Sequence, residues 1–235
     1  MHTQTIIKEL KQYADPARAH HSLRFFKTGH GQYGEGDQFL GLTVPQIRTV
    51  VRAVWRETDL PTALALLANP YHEIRLAALL ILVARYQHRL DQEAIYAAYL
   101  AHTRSINNWD LVDLSAPNII GDYLLARSRQ PLYQLAHSAN VWERRISIMA
   151  TAAFIRQHDF ADTLALSRLL LHDPHDLMHK AVGWMLREVG KRDQSALITF
   201  LDTHAPAMPR TMLRYALEKL PETTRRHYLR LPRLG

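Results

Sequence analysis

The sequence predicts an all-α fold, an α-solenoid of stacked helical pairs with one short glycine-rich loop or β-hairpin near the N-terminus. Three observations support this prediction. Glycine is scarce, with nine in 235 residues, and five of the nine lie between residues 29 and 41, so most of the chain lacks the residue that tight turns favour. Apolar residues recur at helical spacing between proline-containing breaks. One basic block also repeats along the chain.

The breaks between helices are marked by dipeptides that contain proline. Proline lacks a backbone N–H and restricts the residue before it, so it starts a helix more readily than it continues one. Six such dipeptides divide the chain: Asp15-Pro16, Leu60-Pro61, Asn69-Pro70, Gln130-Pro131, Asp173-Pro174 and Met208-Pro209.

The repeated block indicates that the helices are arranged in pairs. In four segments a basic residue precedes small and apolar residues, and these basic residues are Arg75, Arg145, Lys180 and Arg214. Their separations of 70, 35 and 34 residues leave room for one further member, which falls at Asp110. A period near 35 residues is typical of helical-pair solenoids, in which equivalent helices line one concave surface. We therefore expect the periodic basic residues to line a groove.

The length allows one extended domain or two small ones, and we expect a single HEAT-like repeat domain over residues 1–235. Hydrophobic residues make up 47% of the chain, which is enough for a continuous core. The absence of cysteine excludes disulfides and thiolate metal sites. The N-terminal region lacks the apolar run of a signal peptide or a membrane span. We therefore expect a cytoplasmic protein that has no membrane partner.

The net charge of +7 is unevenly distributed. Residues 205–235 carry seven basic and two acidic side chains, which gives +5 of that total. We expect this segment to form a basic C-terminal cap, either as an ordered helix or as a loose tail. The charge favours a polyanionic partner such as nucleic acid, although a solubilising charged face would have the same composition.

One segment, residues 106–113, places a tryptophan and a carboxylate four residues apart. Trp109 and Asp113 would share one helical face. Asp110 takes the place of the basic residue in the other repeats, and two carboxylates in a cationic groove suit a site that stabilises positive charge. The alternatives are that the aspartates cap helices or bond the backbone, and that the tryptophan belongs to the core.

Three segments together resemble the DNA alkylation-repair proteins of the AlkD type. They are residues 108–113 (Asn-Trp-Asp-Leu-Val-Asp), 140–145 (Asn-Val-Trp-Glu-Arg-Arg) and 180–188 (Lys-Ala-Val-Gly-Trp-Met-Leu-Arg-Glu), and their order and spacing are similar to those of the family. The resemblance implies a solenoid of HEAT-like repeats. It also implies a monofunctional DNA glycosylase that removes cationic N3- and N7-alkylpurines from duplex DNA and uses no metal or cofactor.

The resemblance also assigns roles to individual residues. Asp113 matches the catalytic aspartate, and Trp109 and Trp184 match the tryptophans that face the sugar. Arg145 and Arg187 match the arginines that bind phosphate. Because a cationic purine is already a good leaving group, the paired carboxylates of ordinary glycoside hydrolases are unnecessary. One carboxylate beside an electron-rich ring suffices to stabilise an oxocarbenium-like sugar.

Further DNA contacts are expected outside those motifs. Lys180 and Arg214 belong to the periodic basic residues, and we expect both to meet phosphates. In the glycine-rich insert, residues 29–41, we expect Lys27, His30 and Tyr33 at its edge or within it to touch DNA. The glycine spacing of residues 29–34 matches a dinucleotide-binding fingerprint, but no apolar strand precedes it, so we expect no nucleotide cofactor.

A histidine-rich stretch, residues 172–179, contains the fifth proline break. Its three histidines lie close to Asp173 and Asp176, a combination that occurs in metal sites. Histidines in a loop before a helix are more often solvated, and we expect no metal here.

Two features depart from the glycosylase pattern. Asn108 stands before Trp109, where active members carry a second tryptophan, and residues 25–37 look like an insert of another branch of the family. Proteins of that branch resemble DNA binders, some with affinity for branched DNA. We expect a monomeric bacterial protein that joins the nucleoid when it binds double-stranded, alkylated DNA. The alternatives are a catalytically inactive binder of branched or damaged DNA and, more distantly, a helical scaffold for another protein.

Overall fold

The computed structural model describes residues 2–232, and helices make up most of this range. No strand occurs among these residues, and an isolated parallel bridge between Gln38 and Tyr71 is their closest approach to a sheet. The prediction of an all-α fold is therefore confirmed. Arg233, which belongs to the predicted basic C-terminal cap, lies outside the described residues.

The chain forms two compact units, Met1–Ile119 and Ile120–Gly235. The described helices of the first unit are α1 (Thr3–Lys11), α2 (Pro16–Phe25), α3 (Val44–Val54), α4 (Leu60–Leu67), α5 (His72–Gln87), α6 (Gln92–Ala101), a 3₁₀ helix (Thr103–Ser105) and α7 (Trp109–Ala116). A π-helical turn, Pro117–Gly121, follows α7.

The second unit continues the helical pattern. Its described helices are α8 (Gln130–Ala136), α9 (Val141–Ala150), α10 (Ala152–Arg156), α11 (Ala161–Leu169), α12 (Asp176–Gly190), α13 (Gln194–His204), α14 (Arg210–Leu217) and α15 (Glu222–Arg230). The single repeat domain over residues 1–235 stays a prediction.

The proline breaks start helices, as expected from the missing N–H group. Pro16 is the first residue of α2, and Pro61 is the second residue of α4. Asp15 and Asp59 complete these starts, since each side chain accepts a hydrogen bond from the backbone N–H three residues later, at 3.0 and 2.9 Å respectively.

The helices pack as repeated pairs within each unit. In the first unit α4 packs on α5, and in the second α8 packs on α9 and α11 on α12. The second members of these pairs form a series with α7 and α14, since α5 packs on α7, α9 on α12 and α12 on α14. Every periodic residue lies in the first two turns of a helix of this series: Arg75 in α5, Asp110 in α7, Arg145 in α9, Lys180 in α12 and Arg214 in α14. The predicted helical-pair repeat is confirmed.

Helices α5 and α2 are opposite extremes of burial in the first unit. Helix α5 buries 13 of its 16 residues and forms the core of the unit. Helix α2 buries none of its ten residues, which is true of no other α-helix among residues 2–232. Its packing against the rest of the unit therefore contributes little to its stability.

The glycine-rich insert is a series of turns, so of the two predicted forms the loop is correct and the β-hairpin is wrong. The N–H of Gly34 donates to the carbonyl of Lys27 at 3.0 Å. A Cβ at Gly34 would lie 2.3 Å from the carbonyl oxygen of Phe26, so only glycine permits this close return of the loop to the end of α2. The N–H groups of the loop bond locally and to α5, and no second strand pairs with it.

The basic C-terminal cap contains an ordered helix. Tyr228 of α15 is buried, and its hydroxyl donates to Asp202 Oδ1 at 2.5 Å. Arg210 Nη1 donates to the carbonyl of Leu229 at 3.0 Å. Of the two predicted alternatives, a helix or a loose tail, the helix is correct for residues 222–230. Within residues 2–232 no helix combines the length and the apolar character that crossing a membrane requires.

We expect Gly183→Ala to destabilise the second unit. A Cβ at Gly183 in α12 would lie 2.5 Å from the carbonyl oxygen of Met212 and 2.6 Å from Cβ of Tyr215 in α14. Relief of this overlap requires the two helices to move apart, so the free energy of unfolding should fall by about 1–3 kcal/mol. Urea denaturation followed by circular dichroism measures the loss.

Gly190→Ala at the end of the same helix is the matched control. Its Cβ would meet first the Cδ2 end of the flexible Leu197 side chain, at 2.3 Å. That side chain can rotate away, so the change should stay below about 1 kcal/mol. Equal losses in the two variants would contradict the close approach of α12 and α14.

Candidate functional site

Helix α7 carries Trp109 and Asp113 one turn apart, with both side chains half-buried. The helix begins at Trp109 because Asn108 is extended, with φ −153° and ψ 158°, and its Oδ1 accepts a hydrogen bond from the N–H of Trp109 at 2.9 Å. Trp109 and Asp113 consequently lie on the same side of α7. We call this surface the Trp109–Asp113 face.

A buried tyrosine of α6 lies within the electrostatic reach of Asp113. The Tyr99 hydroxyl is 2.8 Å from Ser115 Oγ on α7. Burial raises the pKa of Tyr99, and the charge of Asp113 adds to the rise, although the hydrogen bond with Ser115 opposes it. Tyr99 therefore stays neutral at physiological pH, and the charge of Asp113 lies close enough to influence its pKa.

The indole ring of Trp109 ends a column of stacked aromatic rings. Phe39 and Phe26 stack with centroids 5.0 Å apart and an interplanar angle of 16°, and Phe26 stacks on Trp109 at 5.7 Å and 21°. Phe25 meets Trp109 edge-on, at 5.9 Å and 68°. These contacts fix the orientation of the indole ring and cover one side of it with Phe26.

A buried carboxylate of the loop anchors the start of α7. Asp37 accepts hydrogen bonds from Arg75 Nη2 at 2.7 Å, Asn107 Nδ2 at 3.0 Å and Asn108 Nδ2 at 3.4 Å. Its Oδ2, which accepts the bond from Asn108, is also 3.1 Å from His72 Nδ1. The carboxylate thus joins the glycine-rich loop to α5 and to the two residues that precede α7.

His72 lies between two carboxylates in the core. Its side chain is 2% exposed, and its Nε2 is 2.8 Å from Asp110 Oδ2 on α7. Burial by itself lowers the pKa of His72, but the charges and hydrogen bonds of Asp110 and Asp37 outweigh burial and raise this pKa to about 9. The ring is therefore protonated at neutral pH and donates to both carboxylates.

The pKa of Asp37 moves in the opposite direction. Burial raises it, but the hydrogen bond from His72, the charge of Arg75 and the hydrogen bond from Asn107 outweigh burial and lower the pKa below its usual value. Asp37, His72, Arg75 and Asp110 form what we call the buried ion network. Each buried charge in it has at least one partner of opposite charge.

Asp110 has a different role from the one that its place in the repeats suggested. It is 8% exposed, its Oδ2 is bonded to His72, and its Oδ1 accepts a hydrogen bond from the N–H of Leu111 at 2.9 Å. The expectation that both aspartates serve a site for positive charge on a ligand is wrong for Asp110, because the positive charge that it faces is the buried imidazolium.

The end of the glycine-rich loop is attached to α5 by a single carboxylate. Glu73, which is 3% exposed, accepts hydrogen bonds from the backbone N–H groups of Leu40, Gly41 and Leu42 at 3.0, 2.8 and 3.2 Å. Gly41 has φ +81°, and a Cβ there would lie 2.1 Å from the carbonyl oxygen of Asp15. Charge-assisted bonds to three successive N–H groups hold this backbone in one conformation.

In the second unit, Trp184 and Arg187 lie one turn apart on α12. Trp184 is half-buried, and its Nε1 donates to Glu188 Oε1 at 3.3 Å. The guanidinium of Arg187 lies 6.0 Å from the Trp184 ring centroid and pairs with Glu188 and with Glu218, the residue after α14. A phosphate that approached Arg187 would have to compete with these two carboxylates.

The expectation that the periodic cations line a groove is wrong for Arg75 and Arg145. Arg75 is 5% exposed and belongs to the buried ion network. Arg145 is 4% exposed, and its Nη1 donates to the carbonyl of Leu177 at the start of α12, at 2.6 Å. Arg75 instead connects α5 to the glycine-rich loop and to Asn107, and Arg145 connects α9 to α12.

Lys180 and Arg214 are accessible, as a role in DNA binding requires. The Lys180 side chain is 40% exposed, and its Nζ lies 2.7 Å from Asp176 Oδ2, one turn earlier on α12. Arg214 is exposed on α14. Surface ion pairs of the Lys180 kind are weak, so a phosphate can replace the carboxylate.

The predicted contact residues of the insert are at the surface to different degrees. Lys27 is exposed, and the His30 side chain is 99% exposed, with its Nδ1 2.8 Å from Glu35 Oε1. Tyr33 is half-buried, and its hydroxyl donates to the carbonyl of Phe25 at 3.4 Å. Tyr33 therefore contributes to the contact between the loop and the end of α2.

The histidine-rich stretch before α12 makes local hydrogen bonds. His175 Nδ1 accepts from the N–H of Leu177 at 3.2 Å and caps the helix, and His179 Nε2 is 2.6 Å from the carbonyl oxygen of Asp173. Among residues 2–232, no three potential ligands are grouped as a metal ion would need.

The repeats, the aromatic column and the Trp109–Asp113 face can be compared with known proteins. The family model described as "DNA alkylation repair enzyme" matches residues 6–220. The chain belongs to the DNA alkylation repair enzyme family. Membership supports a function in DNA alkylation repair, with DNA as the partner.

A solved structure shows the same fold. It is described as a predicted DNA alkylation repair enzyme from Enterococcus faecalis, and it is similar to this chain with a TM-score of 0.71 and 15% sequence identity. The match covers 89% of this chain and 97% of the other. Among curated protein sequences, none matches significantly. Helix α15 begins after the last residue that the family model matches.

We expect the buried ion network to make the first unit less stable at alkaline pH. The folded-state pKa of His72 is about 9 and its ordinary value is 6.5, so the stabilisation is fully present below about pH 6.5 and is lost as the pH rises through 9. Within this window the free energy of unfolding should fall by about 1.4 kcal/mol per pH unit. Urea unfolding at a series of pH values measures the slope.

His72→Gln and Asp110→Asn identify the source of that slope. The first variant removes the titrating ring, and the second removes the charge that does most to raise its pKa. Both should unfold with a clearly smaller dependence on pH between 6.5 and 9. If both variants kept the full slope of the wild type, His72 would not be the responsible group. A variant too unstable to measure leaves the other to decide.

Proposed function

We propose that the protein is a DNA glycosylase that hydrolyses the N-glycosidic bond of cationic N3- and N7-alkylpurines in duplex DNA. The observation that carries the proposal is the Trp109–Asp113 face, where a half-buried carboxylate lies one turn from an oriented indole ring in a member of the DNA alkylation repair family. An anion and an electron-rich ring on one surface suit a substrate that becomes positively charged at its sugar.

The reaction needs one carboxylate and no general acid. The bond between C1′ and the alkylated purine breaks, and its electron pair leaves with the base, which neutralises the positive charge of the base. The sugar is left as an oxocarbenium-like cation, which Asp113 would stabilise. Water then adds at C1′ and its proton passes to the solvent. Since Asp113 is half-buried, its charge acts more strongly than it would in bulk water.

Trp109 would pack against the deoxyribose beside Asp113. The Phe39–Phe26–Trp109 column already fixes the orientation of the indole ring. Binding of a ligand therefore costs little conformational entropy at this side chain. The buried ion network also holds the start of α7. Asp37 accepts a hydrogen bond from Asn108, just before the helix, and Asp110, in its first turn, bonds to His72. Neither group needs to touch the substrate for this purpose.

Phosphate contacts would come from the accessible cations. Lys180, Arg187 and Arg214 of the second unit and Lys27 of the first are at least partly exposed, and the net charge is +7. We assign Trp184 to the sugar-phosphate backbone on account of its place beside Arg187. Such contacts hold the duplex without recognising its sequence.

A second function is favoured by what surrounds Trp109. Phe26 covers one side of the indole ring, and the buried Asn108 takes the adjacent place in the chain. These features suit a protein that binds damaged or branched DNA without cleaving the glycosidic bond. The two functions differ in whether Asp113 takes part in chemistry.

We expect Asp113→Asn to lose base excision and keep DNA binding. The amide has the same shape but no charge to stabilise the sugar cation, so the rate should fall by about 10²-fold or more. The measurement is the release of free base from duplex DNA that contains N7-methylguanine, with protein in excess over substrate. Binding to undamaged duplex is measured in parallel and should be equal or tighter, because a repulsive charge is removed.

Asp122→Asn provides the matched control, since Asp122 is an exposed aspartate of the second unit and its loss should leave excision unchanged. Unchanged excision by Asp113→Asn would exclude this aspartate as the catalytic group. No excision by the wild type, together with normal DNA binding, would favour the second function, and branched duplexes would then replace the alkylated substrate.

A further inference from the structure

Helix α2 is a basic helix whose sides the described residues 2–232 leave largely exposed. It buries none of its ten residues, and its sequence, Pro-Ala-Arg-Ala-His-His-Ser-Leu-Arg-Phe, contains two arginines and two histidines but no acidic residue. A helix in a folded protein normally buries an apolar stripe against a neighbour. A helix that lacks such a stripe and carries one sign of charge is suited to contact with an anionic partner.

The two ends of α2 are nevertheless firmly held. Asp15 caps its start, with Oδ1 3.0 Å from the N–H of Arg18. After its end, the N–H of Gly34 bonds to the carbonyl of Lys27, and Phe26 is stacked between Phe39 and Trp109. An isolated helix of ten residues is only marginally stable in water. These end contacts keep α2 in place although its sides are exposed.

Phe25, the last residue of α2, is exposed beside the Trp109–Asp113 face. It is 56% exposed, more than any other large hydrophobic residue in the described part of the chain. Its ring meets Phe26 edge-on at 5.0 Å and 88°, and Trp109 at 5.9 Å and 68°. Phe25 therefore adds an accessible, edge-on ring to the column at the protein surface.

Two cations stand on either side of this ring in the sequence. Arg24 and Lys27 are both exposed, and among residues 2–232 neither forms an ion pair. Lys27 adopts φ +54°, the left-handed conformation common just after a helix end, and the N–H of Thr28 bonds back to the carbonyl of Leu23 at 3.1 Å. An exposed aromatic ring with cations close to it in the sequence matches the chemistry of single-stranded nucleic acid, which offers a base to stack and phosphates beside it.

We infer that Phe25, Arg24 and Lys27 form a base-stacking subsite for an unpaired or unstacked base of DNA. The base stacks on the exposed part of the Phe25 ring, next to Trp109, and the flanking phosphates pair with Arg24 and Lys27. The inference rests on the proposed function only in taking DNA as the ligand. Beyond that function, the inference specifies the form of DNA that the subsite prefers, which is a duplex with at least one unstacked base.

The test compares an intact duplex with the same duplex that carries one extra, unpaired 2-aminopurine. The wild type should bind the bulged duplex more tightly and change the 2-aminopurine fluorescence on binding. Phe25→Ala should weaken binding to the bulged duplex by at least about fivefold, the lower limit for loss of one base–aromatic stack, and should abolish the fluorescence change. Its affinity for the intact duplex should stay the same.

Two further variants separate stacking from general effects. Leu169→Ala removes another exposed apolar side chain, 43% exposed on α11, and should leave both affinities unchanged. The double variant Arg24→Gln/Lys27→Gln should weaken both complexes and reduce the slope of log affinity against log salt by about 2, one unit for each lost phosphate contact.

The inference would be overturned if Phe25→Ala bound each duplex as tightly as the wild type does, or if the variant lost the same affinity for both duplexes. The excision assay on the wild type and Asp113→Asn distinguishes this result from failure of the proposed function. A chain that excises no base but shows a bulge preference dependent on Phe25 would retain the subsite without the glycosylase. A chain that excises bases and shows no such preference would retain the glycosylase without the subsite.

Discussion

The ion pair of His72 with Asp37 and Asp110 is the interaction on which the rest of the first unit depends. It joins three parts of the chain that are distant in sequence: the glycine-rich loop, the core helix α5 and the start of α7. Removal of one carboxylate would leave the buried imidazolium incompletely compensated, and removal of the imidazolium would leave two buried carboxylates that repel each other. Both changes would lower the free energy of unfolding. The loop therefore contributes Asp37, whose charge balances His72 and Arg75 of the core, and the same contacts fix the conformation of the loop.

This arrangement links an internal constraint to the surface where DNA would bind. Once Asp37 and Glu73 have fixed the loop, Phe26 and Phe39 are held in a stack that determines the position of Trp109. Asp113 follows one helical turn later. The geometry of the Trp109–Asp113 face is thus set by hydrogen bonds and ring contacts beneath it, and it exists before any ligand is present.

Local patterns in the sequence were sufficient for the fold, but not for the contacts that position the site. Proline breaks and a 35-residue period predicted the helical pairs because both act between neighbours in the chain. The period could not tell an exposed cation from a buried one, so Arg75 and Arg145 were placed on a groove. Asp37 was missed because its partners lie 35 to 71 residues away. The polar start of the otherwise apolar α5, at His72 and Glu73, was the one available signal.

The length of these connections also affects how the protein is made. Asp37 leaves the ribosome long before Asn107, Asn108 and Asp110, which complete its surroundings. Until α7 has emerged, the nascent loop has only the α5 side of its binding pocket, and His72 lacks its second carboxylate. The glycine-rich loop should therefore dock late in cotranslational folding, when about half of the polypeptide has been synthesised, and the region around Phe26 and Phe39 stays open to chaperones until then.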